Sequence, residues 1–155
     1  GPVEGTVARG HLRDDEHFYT GKVGGKLVET LPFSATRTVL ERGQERYNIY
    51  CAPCHSRLGD GNGAIVQRGY RRPESLHAER LRKAPVGHYF DAMTRGFGAM
   101  PDFASQISPQ DRWAIAAYIR ALQLSQNATL EDVPESERGA MGGSAPAQPA
   151  GVEKK

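Results

Sequence analysis

Cys51-Ala52-Pro53-Cys54-His55 limits what this 155-residue chain can become more than any other stretch. Two thiols separated by two residues, with a histidine directly after, form the attachment pattern of a c-type haem. The spacing has a chemical reason: each thiol can add to one vinyl group of the macrocycle, and His55 can then offer a ring nitrogen to the iron. The chain has 2 cysteines, and the pattern uses both. A zinc site would need a second Cys/His pair at similar spacing, which the sequence lacks. A thioredoxin-like motif would sit at a strand-to-helix turn of a βαβ unit, and no such pattern surrounds Cys51. A plain disulfide across two residues leaves His55 without a role.

Composition is consistent with a protein built around a cofactor. Only 38% of residues are hydrophobic, against 18 glycines and 10 prolines. A covalently held haem is a large apolar body around which loops can pack, and it compensates for a thin protein core. The length fits one domain. A formal net charge of +2 argues neither for nucleic acid nor for a strongly acidic partner. No run of about 18 apolar residues exists to span a membrane, and no signal-peptide pattern follows Gly1-Pro2.

The sequence divides into a polar, glycine-punctuated arm (1–37), a segment with regular periodicity (38–125), and a tail rich in Pro, Ala, Gly, Ser and Glu (126–155) that reads as extended or disordered. The acidic run Asp14-Asp15-Glu16 reads as a solvated turn. A first helix is predicted from about Val39 to Tyr50, with Thr38 and Glu41 as a capping box. Val39, Gly43, Tyr47 and Tyr50 share one face. Glycine in a helix interior costs about 1 kcal/mol against alanine, which is reasonable if another helix crosses closely at Gly43. A further helix fits Pro85 to about Thr94, with Val86, Tyr89, Phe90 and Met93 inward. The last helix starts at Ser108-Pro109-Gln110-Asp111, with Ser108 as N-cap, and runs to about Gln123. Ile115, Tyr118, Ile119 and Leu122 form its apolar stripe, flanked by Trp113 and Ala116. Strand signals are weak throughout.

The iron needs a second axial ligand, and Met100 is the strongest candidate. It lies in Gly96-Phe97-Gly98-Ala99-Met100-Pro101, between two predicted helices. The glycines let backbone approach a flat cofactor, and Pro101 stiffens the loop. A thioether opposite a histidine is a common haem ligand pair and raises the reduction potential. Met93 reads as a core gap-filler, and Met141 lies in the tail. His88 is the one rival ligand. His11, His17 and His77 read as solvated or structural. Tyr70, Arg71 and Arg72 are candidates for hydrogen bonds to haem propionates, or else a solvated basic loop.

Gly43-x-x-x-Tyr47-x-x-x-Cys51-x-x-Cys54-His55, then Gly96-x-x-x-Met100-Pro101, then a closing helix with Trp113 and Tyr118 resemble a class I cytochrome c. That resemblance implies a mostly α-helical fold with crossed N- and C-terminal helices around one covalent haem c, carrying an irregular N-terminal arm and an extended C-terminal tail. Over about Val7 to Gln126 a more specific resemblance emerges, carried by Val7-Ala8-Arg9-Gly10, Phe18-Tyr19-Thr20-Gly21, Arg42-Gly43-Gln44-Glu45-Arg46-Tyr47 and Asp111-Arg112-Trp113-Ala114-Ile115-Ala116-Ala117-Tyr118-Ile119. These segments resemble the monohaem cytochrome c subunit of alternative complex III, a bacterial quinol oxidoreductase. The resemblance implies partners: other subunits of a membrane respiratory complex, among them a multihaem cytochrome, with a downstream cytochrome c or terminal oxidase as acceptor. It implies a place on the periplasmic side of the inner membrane. Relatives often carry a lipidated N-terminal cysteine, and here no cysteine precedes Cys51.

The expectation is thus an electron-transfer subunit that is not an enzyme on its own. Cys51 and Cys54 hold the haem, His55 is the proximal ligand and Met100 the distal one. The N-terminal arm is expected to lie across neighbouring subunits, being too polar to make a core. Two alternatives are a free periplasmic carrier and a haem peroxidase or ligand sensor with a displaceable Met100.

Overall fold

The computed structural model describes residues 3, 5–7 and 12–141, with the side chains of 140 and 141 left aside. His11, the 8–10 part of the Val7-Ala8-Arg9-Gly10 segment, the Met141 side chain and the tail residues 142–155 lie outside the described residues.

Two long helices carry the architecture: α2 (Arg37–Tyr50) and α6 (Pro109–Asn127). They form the largest packing interface between elements. The crossing is very close at Gly43, where an added Cβ would stand 2.1 Å from the Ala114 carbonyl oxygen and 2.9 Å from Tyr118 Cβ. No side chain fits in that space, which is why a helix-weakening residue sits in mid-helix. Tyr47 and Tyr118 meet across the crossing with ring centroids 5.4 Å apart. At its edge Arg42 donates to both carboxylate oxygens of Asp111, Nε at 2.7 Å and Nη2 at 3.0 Å. Tyr47, Phe90, Trp113 and Ile115 are the largest fully enclosed side chains.

Ser108 caps α6 as the sequence predicts, accepting from the Asp111 amide at 3.2 Å. The start of α2 differs. Thr36, not Thr38, is the cap: its Oγ1 accepts from the Val39 amide at 3.3 Å, and the Leu40 amide already bonds the Thr36 carbonyl. The chain arrives extended at Thr36, so the helix begins two residues earlier. Helix α5 (Val86–Arg95) buries Val86, Tyr89, Phe90 and Met93 as predicted. Two short helices complete the middle: α3 (Ala52–His55), which carries the cysteine motif, and α4 (Glu79–Arg82).

The N-terminal arm is more ordered than its polarity suggests, and it packs on this chain's own helices. Helix α1 (Glu16–Thr20) is capped by Asp15, which accepts from the Phe18 amide at 2.9 Å, so the acidic run is a cap rather than only a solvated turn. A hairpin follows, β1 (Lys22–Val23) and β2 (Lys26–Leu27), antiparallel with Lys22 opposite Leu27. Gly24 and Gly25, both at positive φ, make its two-residue turn. The Trp113 indole donates to the Phe18 carbonyl at 2.8 Å. Val28 bonds Gly21 and Gly87 through its backbone, at 3.1 and 2.9 Å. Phe18, Val28, Leu31 and Phe33 cover the core. The expectation that this arm is too polar to share in a core is therefore corrected for residues 16–33. Backbone hydrogen bonds and four apolar side chains dock it locally. The tail also departs from expectation: α6 continues to Asn127, and a short helix α7 (Glu135–Met141) follows a single 3-10 turn.

Three tests follow from this packing. Gly43→Ala should destabilise the chain by about 3 kcal/mol in urea unfolding, because the helices must part. Trp113→Phe keeps the ring but loses the Phe18 bond. It should cost about 1 kcal/mol and speed protease cleavage within residues 16–33. The Arg42 hydrogen bond, opposed by partial burial, holds the Asp111 carboxyl below the usual carboxylate range. Its contribution is therefore complete above that range and disappears as pH falls through the lowered value. The stability gap between the native chain and Asp111→Asn should be wide at about pH 7 and close towards about pH 3.

Candidate functional site

The cysteine motif sits on one helical turn that breaks from the end of α2. Cys51 joins the two helices, its amide bonded to the Tyr47 carbonyl at 2.8 Å. Pro53 occupies the first turn, where its missing N–H costs nothing. The His55 amide bonds the Cys51 carbonyl at 2.8 Å, which closes the turn. Tyr47 ends it by donating to the Ser56 carbonyl at 2.8 Å, and Ser56 is held at φ 61.

The glycine loop Gly59 to Gly63 folds back under this turn. Gly61 bonds the His55 carbonyl at 3.0 Å, Gly63 the Cys54 carbonyl at 3.1 Å, and Ile65 the Pro53 carbonyl at 3.0 Å. A Cβ on Gly63 would lie 2.2 Å from the Pro53 carbonyl oxygen. Asp60 locks the loop, accepting from Ser56 Oγ at 2.6 Å and from the Asn62 amide at 2.9 Å. Sequence reasoning assigned these glycines no role. Their signal was the short distance in sequence from His55.

The motif opens into a cavity of about 530 Å³. Cys51, Cys54, His55, Met100, Tyr70, Arg71, Arg72 and His88 all line it, so the structure brings together the candidate ligands named from sequence. Most of the remaining wall is apolar, from Tyr50, Leu76, Leu81, Met93, Phe103 and Ile119 among others. Met93 is 3% exposed in the core, in keeping with a gap-filling role. Met100 ends a tight turn in which Phe97 and Met100 exchange backbone bonds, both at 3.0 Å. Gly96 (φ 77) and Gly98 (φ 59) supply the left-handed backbone that this turn requires.

Burial pushes Cys51 and His55 towards their neutral forms. The Cys51 thiol is raised to about 12, mainly by desolvation and then by Cys54. A dithiol redox centre needs the opposite shift. Burial lowers the His55 pKa, so its imidazole is neutral with a lone pair available. His55 Nδ1 is buried and has no hydrogen-bond partner. A neutral, orphaned imidazole beside two free thiols in an apolar cavity fits a covalently held haem. Among the described residues no group of three or more His, Cys, Asp or Glu could hold a bare metal ion.

The polar rim residues divide. Tyr70 Oη donates to the Ala99 carbonyl at 3.4 Å, and Arg72 Nη2 to the Asp60 carbonyl at 2.9 Å. Arg71 makes no hydrogen bond or ion pair among the described residues. His17 and His77 bond the carbonyls of Thr30 at 2.9 Å and Leu58 at 2.6 Å, consistent with structural roles. A second hollow of about 660 Å³, between the starts of α2 and α6, is lined by the paired Arg42 and Asp111 and carries no ligand-type side chain.

Comparison with known proteins agrees with this geometry. No curated protein matches the chain. Ten chains of solved structures do. One belongs to the reducing HAO-like protein complex of Kuenenia stuttgartiensis, with 22% identity and a TM-score of 0.52 over 69% of this chain. The match spans 54% of that solved chain, about half its length, and the likeness is one of fold. A family model described as cytochrome c oxidase, cbb3-type, subunit III matches residues 38–119, just over half of the sequence. That stretch runs from the first turn of α2 through the cysteine turn and Met100 to Ile119 in α6, so the chain belongs to this family of cytochrome c domains, whose cofactor is haem c.

Proposed function

We propose that the chain is a monohaem one-electron carrier, with Cys51 and Cys54 holding the macrocycle covalently, His55 as proximal ligand and Met100 as distal ligand. The observation that carries this reading is the single cavity lined by the cysteine turn and by the Met100 turn. Bound there, haem supplies a reversible one-electron change at iron. The chain supplies the rest. Its apolar wall excludes water, and its two ligand side chains leave no coordination position for substrate. Arg71, unpartnered at the rim, is free to meet a propionate, whereas Tyr70 and Arg72 are engaged with backbone carbonyls. On this assignment His88 is a wall residue, its ring edge-on to Phe97 at 5.6 Å.

For the setting, we infer the cytochrome subunit of a quinol-oxidising complex of the alternative complex III kind, on the periplasmic face of the inner membrane. A multihaem cytochrome would be its neighbour, and a downstream carrier or terminal oxidase its acceptor. The support is the run of segments before the haem motif. Phe18-Tyr19-Thr20-Gly21 is part of the docked arm that Trp113 holds, and a minimal free carrier has no need of such an arm. No helix among the described residues is long and apolar enough to cross a membrane.

The spectrum of the purified holoprotein tests the ligand set. A low-spin spectrum with a weak far-red sulfur-to-iron band is expected, and no change with carbon monoxide. Met100→Ala should lose that band, lower the reduction potential and bind carbon monoxide, whereas His88→Ala should keep the band. A native protein that binds carbon monoxide would instead be a peroxidase or sensor. Co-migration with a quinol-oxidising activity in gel filtration of solubilised membranes tests the setting. Elution as a lone small protein would make it a free carrier.

A further inference from the structure

Arg112 is a buried cation for which electron transfer has no use. It lies on the first turn of α6 and is 5% exposed. Its Cζ stands 4.6 Å from the centre of the Phe90 ring, and its Nη1 donates to Thr94 Oγ1. Its Nε is enclosed and meets no acceptor. A guanidinium taken out of water in this way is costly unless an anion answers it. The ring face of Phe90 stabilises the charge, but it offers no acceptor to the N–H groups at the edge of the fork.

Among the described residues no carboxylate pairs with Arg112. Asp111 is taken by Arg42, and Asp91 by Lys22 and Arg95. The end of α5 does not substitute for a counter-ion, because its carbonyls already take donors: Phe90 from Thr94 Oγ1 at 2.6 Å, Ala92 from the Gly96 amide at 2.9 Å, and Met93 from the Phe103 amide at 2.8 Å. The surroundings are positive instead. The first turn of α6 is the positive end of its dipole. Burial, and then the like charge of Arg13 on the N-terminal arm, lower the Arg112 pKa. Arg13 itself stands 5.8 Å over the Tyr19 ring and makes no ion pair among the described residues.

We propose that Arg112 and Arg13 form an anion site between α6 and the N-terminal arm, and that it takes a single carboxylate. The two oxygens of a carboxylate match two parallel N–H groups on one edge of a guanidinium, and Nε of Arg112 lies on such an edge. The small exposure of Arg112 limits the ligand to one small group. That group is either a free carboxylate or one acidic side chain of another protein.

The test is thermal unfolding of the haem-loaded protein, followed by circular dichroism, with sodium acetate replacing sodium chloride at constant ionic strength. The midpoint should rise by about 4 °C for each tenfold excess of acetate over its dissociation constant. Arg112→Met fills the same space without the charge. It should unfold no lower than the native chain in chloride and should lose the acetate response. Arg13→Gln alters only an exposed side chain of the arm and should raise the acetate needed for a given shift about tenfold. It decides the matter should Arg112→Met not fold. A tetraglutamate peptide in place of acetate separates the two sources. A response to acetate alone assigns a free carboxylate, and a response to the peptide assigns an acidic side chain. A native midpoint equal in chloride, acetate and peptide would overturn the proposal, and so would an acetate response undiminished in both variants.

Discussion

The passage of one helix backbone over another at Gly43 and Ala114 is the constraint on which the rest of this structure depends. It brings α2 so near α6 that even a Cβ is excluded, and it sets where Tyr47 lies. Tyr47 is fully enclosed, and its hydroxyl holds the Ser56 carbonyl and so ends the cysteine turn. The position of His55 therefore follows from a helix crossing three turns earlier. The other side of α6 carries Trp113, stacked on Phe90 at 4.5 Å and bonded to the N-terminal arm. One helix thus supports both the site and the segment that closes the core behind it.

The cavity wall formed by residues 76–84 is held differently. It contains a single short helix, so its carbonyls need partners from outside. Gln123, 5% exposed on α6, donates to the Leu76 carbonyl at 2.6 Å and to Tyr89 Oη at 2.8 Å. Tyr89 in turn donates to the Leu81 carbonyl at 2.5 Å. Arg120 donates to the carbonyls of Arg82 and Ala84 and stands over the Tyr89 ring. Buried polar groups of this kind are costly when unpaired. A fully connected set fixes the wall in one position, whereas an apolar contact would let it slide.

What the sequence made legible is what has a local signature. The cysteine motif, the Ser108 cap, the α5 and α6 faces and the crossing glycine each follow from spacing within one element. Met100 was legible because its glycines and proline flank it directly, and the structure brings it into the cavity with Cys51, Cys54 and His55. The arm was not legible, because α1 and the hairpin are held by backbone bonds to Gly87 and by Trp113, 95 residues from Phe18. Such bonds leave no periodicity in the arm itself. The α2 start was misplaced because two threonines compete as caps, and the extended approach at Thr36 decides between them. The tail was read from composition alone, which cannot register that α6 continues through Gln126 to Asn127.

Charge and apolarity are kept apart at this site, and the separation has a physical consequence. Inside the cavity burial pushes Cys51 and His55 towards their neutral forms. At the mouth Arg71 and Arg72 are exposed to water. An ionised group within the wall would act on the energy of a bound cofactor through a low dielectric, whereas one at the rim is screened by water and salt. The interior, held by Tyr47, Gln123 and the glycine loop, therefore governs what the site holds and how firmly.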